Sequence, residues 1–166
     1  MTVYSKKFKV KSANRIPTFH NVTIKVKEIL AESKVKNGIL VVYSQHTSCS
    51  VMIQEYAHDR NFWGTEFLMQ DLVNVMEKVV PTCKTEGQYL HPGPEHLVFS
   101  TEVAHDEKRF CLNTDAHLRS VIFGRSESIP VNEGELVLGE FGHVYLVDWD
   151  QCRERERYVW VQIVGE

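Results

Sequence analysis

Five polar residues stand together where one apolar stretch of the chain ends and the next begins. This polar junction, residues 46–50 (HTSCS), follows the run GILVV (38–42) and precedes VMI (51–53). Its hydroxyl groups can bond their own backbone in a tight turn, whereas the imidazole of His46 must find a hydrogen-bonding partner or act in catalysis or ligand binding. Cys49 is either a nucleophile or a small buried apolar residue. The junction is therefore the first candidate site.

Histidines are the other side chains that could do chemistry near neutral pH. The chain has eight of them: His20, His46, His58, His91, His96, His105, His117 and His143. No pair has the spacing of a zinc finger or of H-E-x-x-H, and the chain has neither a glycine-rich phosphate loop nor a G-x-S-x-G motif. A site that uses several histidines must therefore be assembled by the fold from separate segments.

Composition and charge exclude several classes of protein. With 166 residues, 43% of them hydrophobic, the chain can bury one core, and we predict a single domain over residues 1–166. A net charge of -3 gives no general attraction to nucleic acid or anionic membranes. No apolar run approaches the roughly 18 residues of a membrane span, and the N-terminus lacks the apolar segment of a signal peptide. The four cysteines form no C-x-x-C pair, so we predict reduced thiols and a cytoplasmic protein.

Apolar runs predict the strands that must position these residues. The predicted strands are Val3–Val10, Ile39–Ser44, VMI (51–53) and four consecutive short strands near the C-terminus, SIPV, ELVLGEF, HVYLVDW and YVWVQIV. Turn residues between the last four favour antiparallel pairing. Strand pairs interrupted by helices and followed by a run of strands predict an α+β fold, with the polar junction at the rim of a sheet.

Two helices are predicted before residue 82. The first lies within residues 22–33 and is capped by Thr23, although alternate apolar residues there also fit a strand. The second spans residues 65–80, is capped by Thr65 and is stopped by Pro81. One face of the second helix is predicted to be buried, and it carries Leu68, Leu72, Val75, Met76 and Val79.

A third helix follows an irregular segment. Residues 84–112 carry the turn HPGPEH and no clear period. The next segment, Asp115–Phe123, fits a short helix that is capped by Asp115 and closed by Gly124. This helix carries His117, so the fold can bring a second histidine-bearing element toward the sheet.

Several segments, in this order, resemble those of the YjbQ family, whose members are small proteins associated with a secondary thiamine-phosphate synthase activity. They are VKEILAESKVKNG, GILVVYSQHTSCSVMIQE, YLH (89–91), DAHLRSVIFGRSESIPV (115–131), GELVLGEF (134–141) and RERERYVWVQIVGE. The H-T-[ST] junction, the Y-x-H and the A-H-L-[KR]-[AS] helix form a specific signature. The resemblance implies an α+β fold, a two-sheet β-sandwich of about seven main strands with two or three helices, and a homotrimer around a threefold axis.

The resemblance also implies a pocket lined by polar residues. The matching positions are His46, Thr47, Ser48, Glu55, His91 and His117, together with Arg153 and Arg155 of the C-terminal R-x-R and Asp71 of the long helix. In this interpretation His46, His91 and His117 are catalytic. Glu55 is a catalytic general base or orients a histidine, and Thr47 and Ser48 bind the ligand.

Two chemistries suit such a pocket. His46, His91 and His117 could hold a divalent metal, Zn²⁺ or Mg²⁺, with an open coordination position, or imidazoles and guanidinium groups could hold an anion. Thiamine-phosphate synthesis joins a pyrimidine methyl diphosphate to a thiazole phosphate and expels pyrophosphate, so cationic groups must neutralise the leaving group. The arginines available to bind a phosphorylated ligand, unless they are solvated surface charges, are Arg119, Arg125, Arg153 and Arg155.

The chain departs from the family pattern in three places. Extra residues occur around 57–66 and between 92 and 112, and they bring His58, His96 and His105, which either form a lid or decorate loops. Where W-Q is usual, this chain has Phe141 and Gly142, and His143 follows where a small residue is common. If the missing glutamine binds ligand in relatives, the identity of this chain's substrate does not follow from the family.

Three functions are compatible with these residues. The first is a small enzyme that binds a phosphorylated metabolite, with a low thiamine-phosphate synthase activity. The second is a metal-dependent hydrolase or lyase that uses the same histidines as ligands and Glu55 as base. The third is a non-catalytic trimer that binds a metal or a metabolite. The first requires arginines that face the histidines, and the second requires an open coordination position.

Overall fold

The computed structural model describes residues 1–166 as two antiparallel sheets packed face to face, with helices at their edges and on one outer face. The eight strands are β1 (Thr2–Lys11), β2 (Thr18–Asn21), β3 (Gly38–Ser44), β4 (Cys49–Glu55), β5 (Ser126–Asn132), β6 (Glu135–Leu136), β7 (Gly142–Asp148) and β8 (Glu156–Gly165). The five-stranded sheet has the order β1-β8-β3-β5-β6, and the three-stranded sheet has the order β2-β7-β4.

Four α-helices and two short helical turns connect the strands. The helices are α1 (Thr23–Ser33), α2 (Phe67–Val79), α3 (Pro94–Val98) and α4 (Thr114–Phe123). A π-helical turn (Phe99–Val103) and a 3₁₀ turn (Lys108–Cys111) lie between α3 and α4. No helix is long and apolar enough to cross a membrane.

The chain forms two hydrophobic cores. The larger core fills the space between the sheets and includes Leu40 of β3, Leu146 of β7 and Ile29 of α1, all fully buried. The smaller core lies on the other face of the three-stranded sheet, where Met69 of α2 packs with Trp149. The three-stranded sheet is thus covered on both faces, which explains why β7 carries consecutive apolar residues instead of an alternating pattern.

The α+β two-sheet prediction is confirmed, and three details of it are corrected. The number of strands is eight, because the short β2 pairs with β7 and carries too little alternation to be recognised in the sequence. The last strands do not form one continuous meander: β5 and β8 both pair with β3, whereas β7 lies in the other sheet. The ELVLGEF strand is reduced to the two residues of β6.

The predicted helices form, but their caps differ from the prediction. No side-chain cap is present at α1, α2 or α4. Thr23 is the first residue of α1, and its hydroxyl accepts a hydrogen bond from the backbone N–H of Val144 in β7. Thr65 precedes the cap position of α2, and Asp115 lies inside α4, where its carboxylate accepts the N–H of Cys83. These side chains connect elements, so tertiary contacts take precedence over capping. Gly124 closes α4 as predicted.

The buried face of α2 is rotated from the predicted one. Met69 and Met76 are its buried residues, whereas Val75 and Val79 are exposed. The apolar residues of α2 cover more than one face, so periodicity does not determine which face meets the sheet.

Arg119 of α4 is the largest charged side chain that the fold encloses completely. Its Nε and Nη2 both donate to the carbonyl of Val80, at 3.2 and 2.7 Å, and Nη2 also donates to Glu77 Oε1 at 2.7 Å. The guanidinium therefore satisfies the carbonyl group at the end of α2 and joins α2 to α4. Arg119 is neither at the surface nor at a ligand-accessible position.

A buried ion pair joins β7 to β8. Arg157 donates from Nε to Asp148 Oδ2 at 2.6 Å and from Nη2 to Asp148 Oδ1 at 3.0 Å. Both residues are at most 3% exposed, and Asp150, also buried, lies 3.6 Å from Arg157 Nη2. Since β8 belongs to one sheet and β7 to the other, this pair connects the two sheets at one end of the sandwich.

Replacing Arg157 with Met should lower the free energy of unfolding by about 3–5 kcal/mol, because Asp148 and Asp150 are left buried without their cation. Urea denaturation followed by circular dichroism measures the change. The neighbouring variant Glu156→Gln is the control, since Glu156 forms an exposed pair with Lys9, and its unfolding midpoint should stay close to that of the wild type. Equal stability of the two variants would contradict this role for Arg157.

Candidate functional site

The polar junction is the crossing between the two sheets. β3 ends at Ser44 in the five-stranded sheet, and β4 begins at Cys49 in the three-stranded sheet. Ser48 is buried: its carbonyl accepts the N–H of Trp149, and its hydroxyl accepts Arg157 Nη2 at 3.2 Å. The hydrogen bonds of the junction are therefore directed toward the loop after β7 and toward the buried ion pair.

The side chain of His46, like that of Ser48, makes its contacts inside the protein. Its Nε2 accepts a hydrogen bond from the backbone N–H of Tyr158 at 2.9 Å, and its ring stacks on the Tyr158 ring. Burial, followed by the nearby charge of Arg157, lowers the pKa of His46. A neutral imidazole that accepts a backbone N–H is a satisfied structural group, which is one of the two roles open to this residue from the sequence.

Cys49 has no accessible thiol. It is fully buried, and burial raises its pKa well above the ordinary value for a cysteine. The nucleophile is the thiolate, so this environment favours the structural role for Cys49.

The main pocket lies beside the junction, where the segment before α4 meets the loop between β7 and β8. It has a volume of about 500 Å³. Its polar walls are made by His91, His96, Ser100, Asp106, Asn113, Thr114, His117, Arg153 and Arg155, and its apolar parts by Phe110, Cys111 and Leu118. Three imidazoles and two guanidinium groups therefore face one cavity, together with a single carboxylate.

The histidines of the pocket are neighbours in space although they come from different segments. The ring centroids of His91 and His96 are 4.5 Å apart, and those of His91 and His117 are 6.3 Å apart. The loop that carries His91 is attached to the N-terminus of α4, because Thr114 Oγ1 donates to the carbonyl of His91 at 2.6 Å. His117 Nδ1 donates to the carbonyl of Thr47 at 3.2 Å, which ties α4 to the polar junction.

The pKa of His91 lies below its ordinary value. Burial lowers its pKa, and the neighbouring His96 and His117 lower it further. The cause is physical: a protonated imidazole there loses solvation and is repelled by two groups that can also become cations. An anion in the pocket would act in the opposite direction and favour protonated His91.

The two pocket arginines belong to a row of three. Arg153, Arg155 and Arg157 alternate along the chain, and each faces a carboxylate. Arg153 forms a two-pronged pair with Asp106 at 2.6 and 3.1 Å. Arg155 Nη2 lies 3.4 Å from Asp150 Oδ2, and Arg155 Nε is buried without a hydrogen-bond partner.

The predicted site residues thus fall into three groups. The pocket brings together His91, His117, Arg153 and Arg155, and Thr47 supports it through its carbonyl. His46, Ser48 and Arg119 are used inside the fold and do not line the pocket. Glu55 is exposed at the far end of β4, opposite Gly142 of β7.

The metal ligands that the family resemblance implies are His46, His91 and His117. His91 and His117 line the pocket, whereas His46 does not, and its Nε2 accepts the N–H of Tyr158. No group of three or more histidine, cysteine, aspartate or glutamate side chains could hold a metal ion. The donor set of the pocket, imidazoles beside guanidinium groups, fits an anion better than a cation.

The sequence indicated a lid or a decorated loop for His96, not a place in the pocket, and it did not identify the acidic partners of the arginines. The sequence did contain a signal for the acids: DWDQC (148–152) places two aspartates two residues apart, directly before three arginines with the same spacing. In strand-like backbone, residues two apart face the same side, so two such rows joined by a short loop are expected to pair. No comparable signal marks His96 or Asp106, which depend on how residues 92–112 fold.

Comparison with known proteins identifies the family. The family model described as "UPF0047 protein YjbQ-like" matches residues 6–166. A UPF0047 protein of Synechocystis is 32% identical over 149 residues, which cover 90% of this chain and 84% of that protein. A UPF0047 protein of Methanothermobacter thermautotrophicus is 25% identical over 166 residues, 100% of this chain and 95% of that protein.

Solved structures give the same result. The crystal structure of a YbjQ-like protein from Sulfolobus solfataricus superposes with a TM-score of 0.75 at 26% identity, over 99% of both chains. A protein from Aeropyrum pernix superposes with a TM-score of 0.73 at 30% identity, over 98% of this chain and 99% of that one. The segments recognised in the sequence, the two-sheet fold and these matches agree: the chain belongs to the YjbQ-like UPF0047 family.

Proposed function

We propose that the pocket between His91 and Arg155 binds a small phosphorylated metabolite. The observation that carries this proposal is the lining of the cavity, where three imidazoles meet the guanidinium groups of Arg153 and Arg155 beside a single carboxylate. Phosphate oxygens are the acceptors that match a guanidinium best, and hydrogen bonds between charged groups of this kind are the strong ones.

The charge distribution supports an anionic ligand. The carboxylate that lines the pocket, Asp106, is already paired with Arg153. Asp150, the partner of Arg155, is shared with Arg157 and also accepts a hydrogen bond from Asn113. Burial lowers the pKa of Arg155, which indicates that its charge is incompletely compensated and would be stabilised by an anion.

The enzymatic form of this proposal is the secondary thiamine-phosphate synthase activity implied by the family. In that reaction the thiazole nitrogen forms a C–N bond to the pyrimidine methylene carbon, the C–O bond to the diphosphate breaks, and pyrophosphate leaves with the bonding electrons. Arg155, His91 and His117 are the residues that would stabilise the departing charge. A hydrolase or lyase acting on another phosphate ester, and a non-catalytic metabolite-binding protein, would use the same groups.

Pyrophosphate is the probe for this site, since it is the charged product of the proposed reaction. Replacing Arg155 with Gln should weaken pyrophosphate binding by about 10- to 100-fold, the contribution of one or two charge-assisted hydrogen bonds. Isothermal titration calorimetry measures the change, and Arg155→Lys separates loss of charge from loss of the planar fork. Arg109→Gln is the control, because Arg109 is exposed and paired with Glu107. Failure of the wild-type protein to bind pyrophosphate would overturn the proposal.

Anion binding should strengthen as the pH falls. The pKa of His91 lies below its ordinary value in the free protein, and an adjacent anion raises it, so the complex takes up a proton. Affinity should therefore increase from about pH 8 to about pH 6, the range in which histidine titrates. Sulfate is the suitable ligand, since its own charge stays constant over that range. His91→Gln should flatten the dependence, whereas His58→Gln should leave it unchanged. A pH-independent wild-type affinity would contradict the role of His91.

We also propose that the protein is a trimer that buries the outer face of its five-stranded sheet. Ile39, Val41 and Tyr43 of β3 point away from the core. A cavity of about 350 Å³ on this face is lined by Val41, Tyr43, Trp160 and Gln162. The outer face of a solvated antiparallel sheet is normally polar. Here Ile39 is 55% exposed, and Tyr43 and Trp160 are each 37% exposed, which supports contact with another copy of the chain.

Light scattering after size-exclusion chromatography tests the trimer. The wild type should have three times the mass of one chain, and Val41→Glu should shift it toward the monomer by placing a charge in the apolar contact. Ile24→Glu is the control, since Ile24 is exposed on α1, outside the sheet. A monomeric wild type at micromolar concentration would show that the sheet face has another role.

A further inference from the structure

We propose that Asp106 is a built-in competitor for the ligand phosphate. Its carboxylate occupies the Arg153 fork, so a ligand must displace it, and the pocket thereby selects multiply charged phosphates over singly charged carboxylates. This inference rests on the proposed function and specifies the class of ligand that the same pocket accepts.

Asp106 is bonded to Arg153 in the geometry that a carboxylate ligand would adopt. Arg153 Nη1 donates to Asp106 Oδ1 at 2.6 Å, and Nη2 donates to Asp106 Oδ2 at 3.1 Å. Two parallel N–H···O bonds are the arrangement by which a guanidinium also holds a phosphate. While Asp106 is in place, both terminal nitrogens of Arg153 are used, and an incoming phosphate cannot form the same two-pronged contact.

Asp106 belongs to the irregular segment between α2 and α4. Residues 92–112 supply five of the groups that line the pocket: His96, Ser100, Asp106, Phe110 and Cys111. The segment also has contacts that do not involve Arg153: Asp106 N donates to the carbonyl of Ser100 within it, Cys152 Sγ donates to the carbonyl of Leu112 at its end, and Lys108 pairs with Glu86 at the surface. Displacing the Asp106 side chain therefore does not require the segment to unfold.

Arg153 would remain in position after Asp106 is displaced. The ring of Phe110 lies 4.4 Å from Arg153 Cζ and supports the guanidinium from a second direction. The two charged side chains are each about one-third exposed, 30% for Arg153 and 33% for Asp106, so water can replace the contacts that Asp106 loses. Arg153 thus stays in place when a ligand enters. Until then its two terminal nitrogens are bonded to the carboxylate of Asp106, which the ligand can replace.

The charge of a ligand determines whether it can displace Asp106 from Arg153. A singly charged carboxylate would form the same two hydrogen bonds with Arg153 that Asp106 already forms, so it gains no free energy by displacing Asp106. A phosphate monoester or diphosphate carries more negative charge and more acceptor oxygens, and it can contact Arg155 and the histidines while it takes the place of Asp106. The pocket should therefore accept phosphorylated compounds and reject simple carboxylic acids.

Removing the carboxylate tests the inference. Asp106→Asn should tighten pyrophosphate binding by about tenfold. This factor is expected if Arg153 is free of Asp106 in about one-tenth of the wild-type molecules. The same variant should gain measurable acetate binding, which the wild type lacks. Asp106→Ala should act in the same direction without an amide that can bond to Arg153. Glu107→Gln, in which the neighbouring exposed carboxylate is removed, should match the wild type for both ligands.

The outcomes separate this inference from the proposed function. If the wild type binds pyrophosphate and both Asp106 variants bind it equally or more weakly while keeping the wild-type melting temperature, Asp106 supports the site and the inference is wrong. If tighter binding persists in Asp106→Asn when Arg153→Gln is added, the effect does not pass through the fork, and the inference is also wrong. If neither the wild type nor Asp106→Asn binds pyrophosphate, the proposed function and the inference fail together.

Discussion

The pairing of arginines with aspartates at one end of the sandwich is the interaction on which the rest of the structure depends. Arg157 and Asp148 join the two sheets where solvent is absent, and a buried pair of this kind tolerates no missing partner. The same alternation carries Arg155 and Arg153 outward from the core to the pocket. One row of charges thus begins as a structural connection and ends at the pocket that we propose as the binding site.

The polar junction has a different role from the one its composition suggests. His46 and Ser48 direct their hydrogen bonds to the backbone of β8 and to Arg157, so they fix how the chain crosses between the sheets. Their connection to the pocket is through Thr47, whose carbonyl accepts His117 Nδ1. The junction therefore supports the pocket from behind, and the residues that line the pocket come from later segments.

Much of the fold is predictable from the sequence, because strands and helices leave local periodic patterns. β1, β3, β8 and α4 follow from such patterns, and the segments shared with the YjbQ family identify the sandwich. The pocket is less predictable, because His96 and Asp106 belong to an irregular segment whose path depends on tertiary contacts. Arg119 is a second example. The sequence places it correctly on a helix, but the burial of its guanidinium depends on how α2 packs against α4.

The central claim is that Arg155 and the pocket histidines form an anion site, and a crystal soaked in tungstate tests it most directly. Tungstate is a tetrahedral dianion, and the strong anomalous scattering of tungsten distinguishes it from water and lighter ions. The account predicts one strong peak in the pocket within hydrogen-bonding distance of the Arg155 guanidinium and of an imidazole of His91 or His117. An empty pocket at saturating tungstate, or a peak confined to surface lysines, would contradict the account.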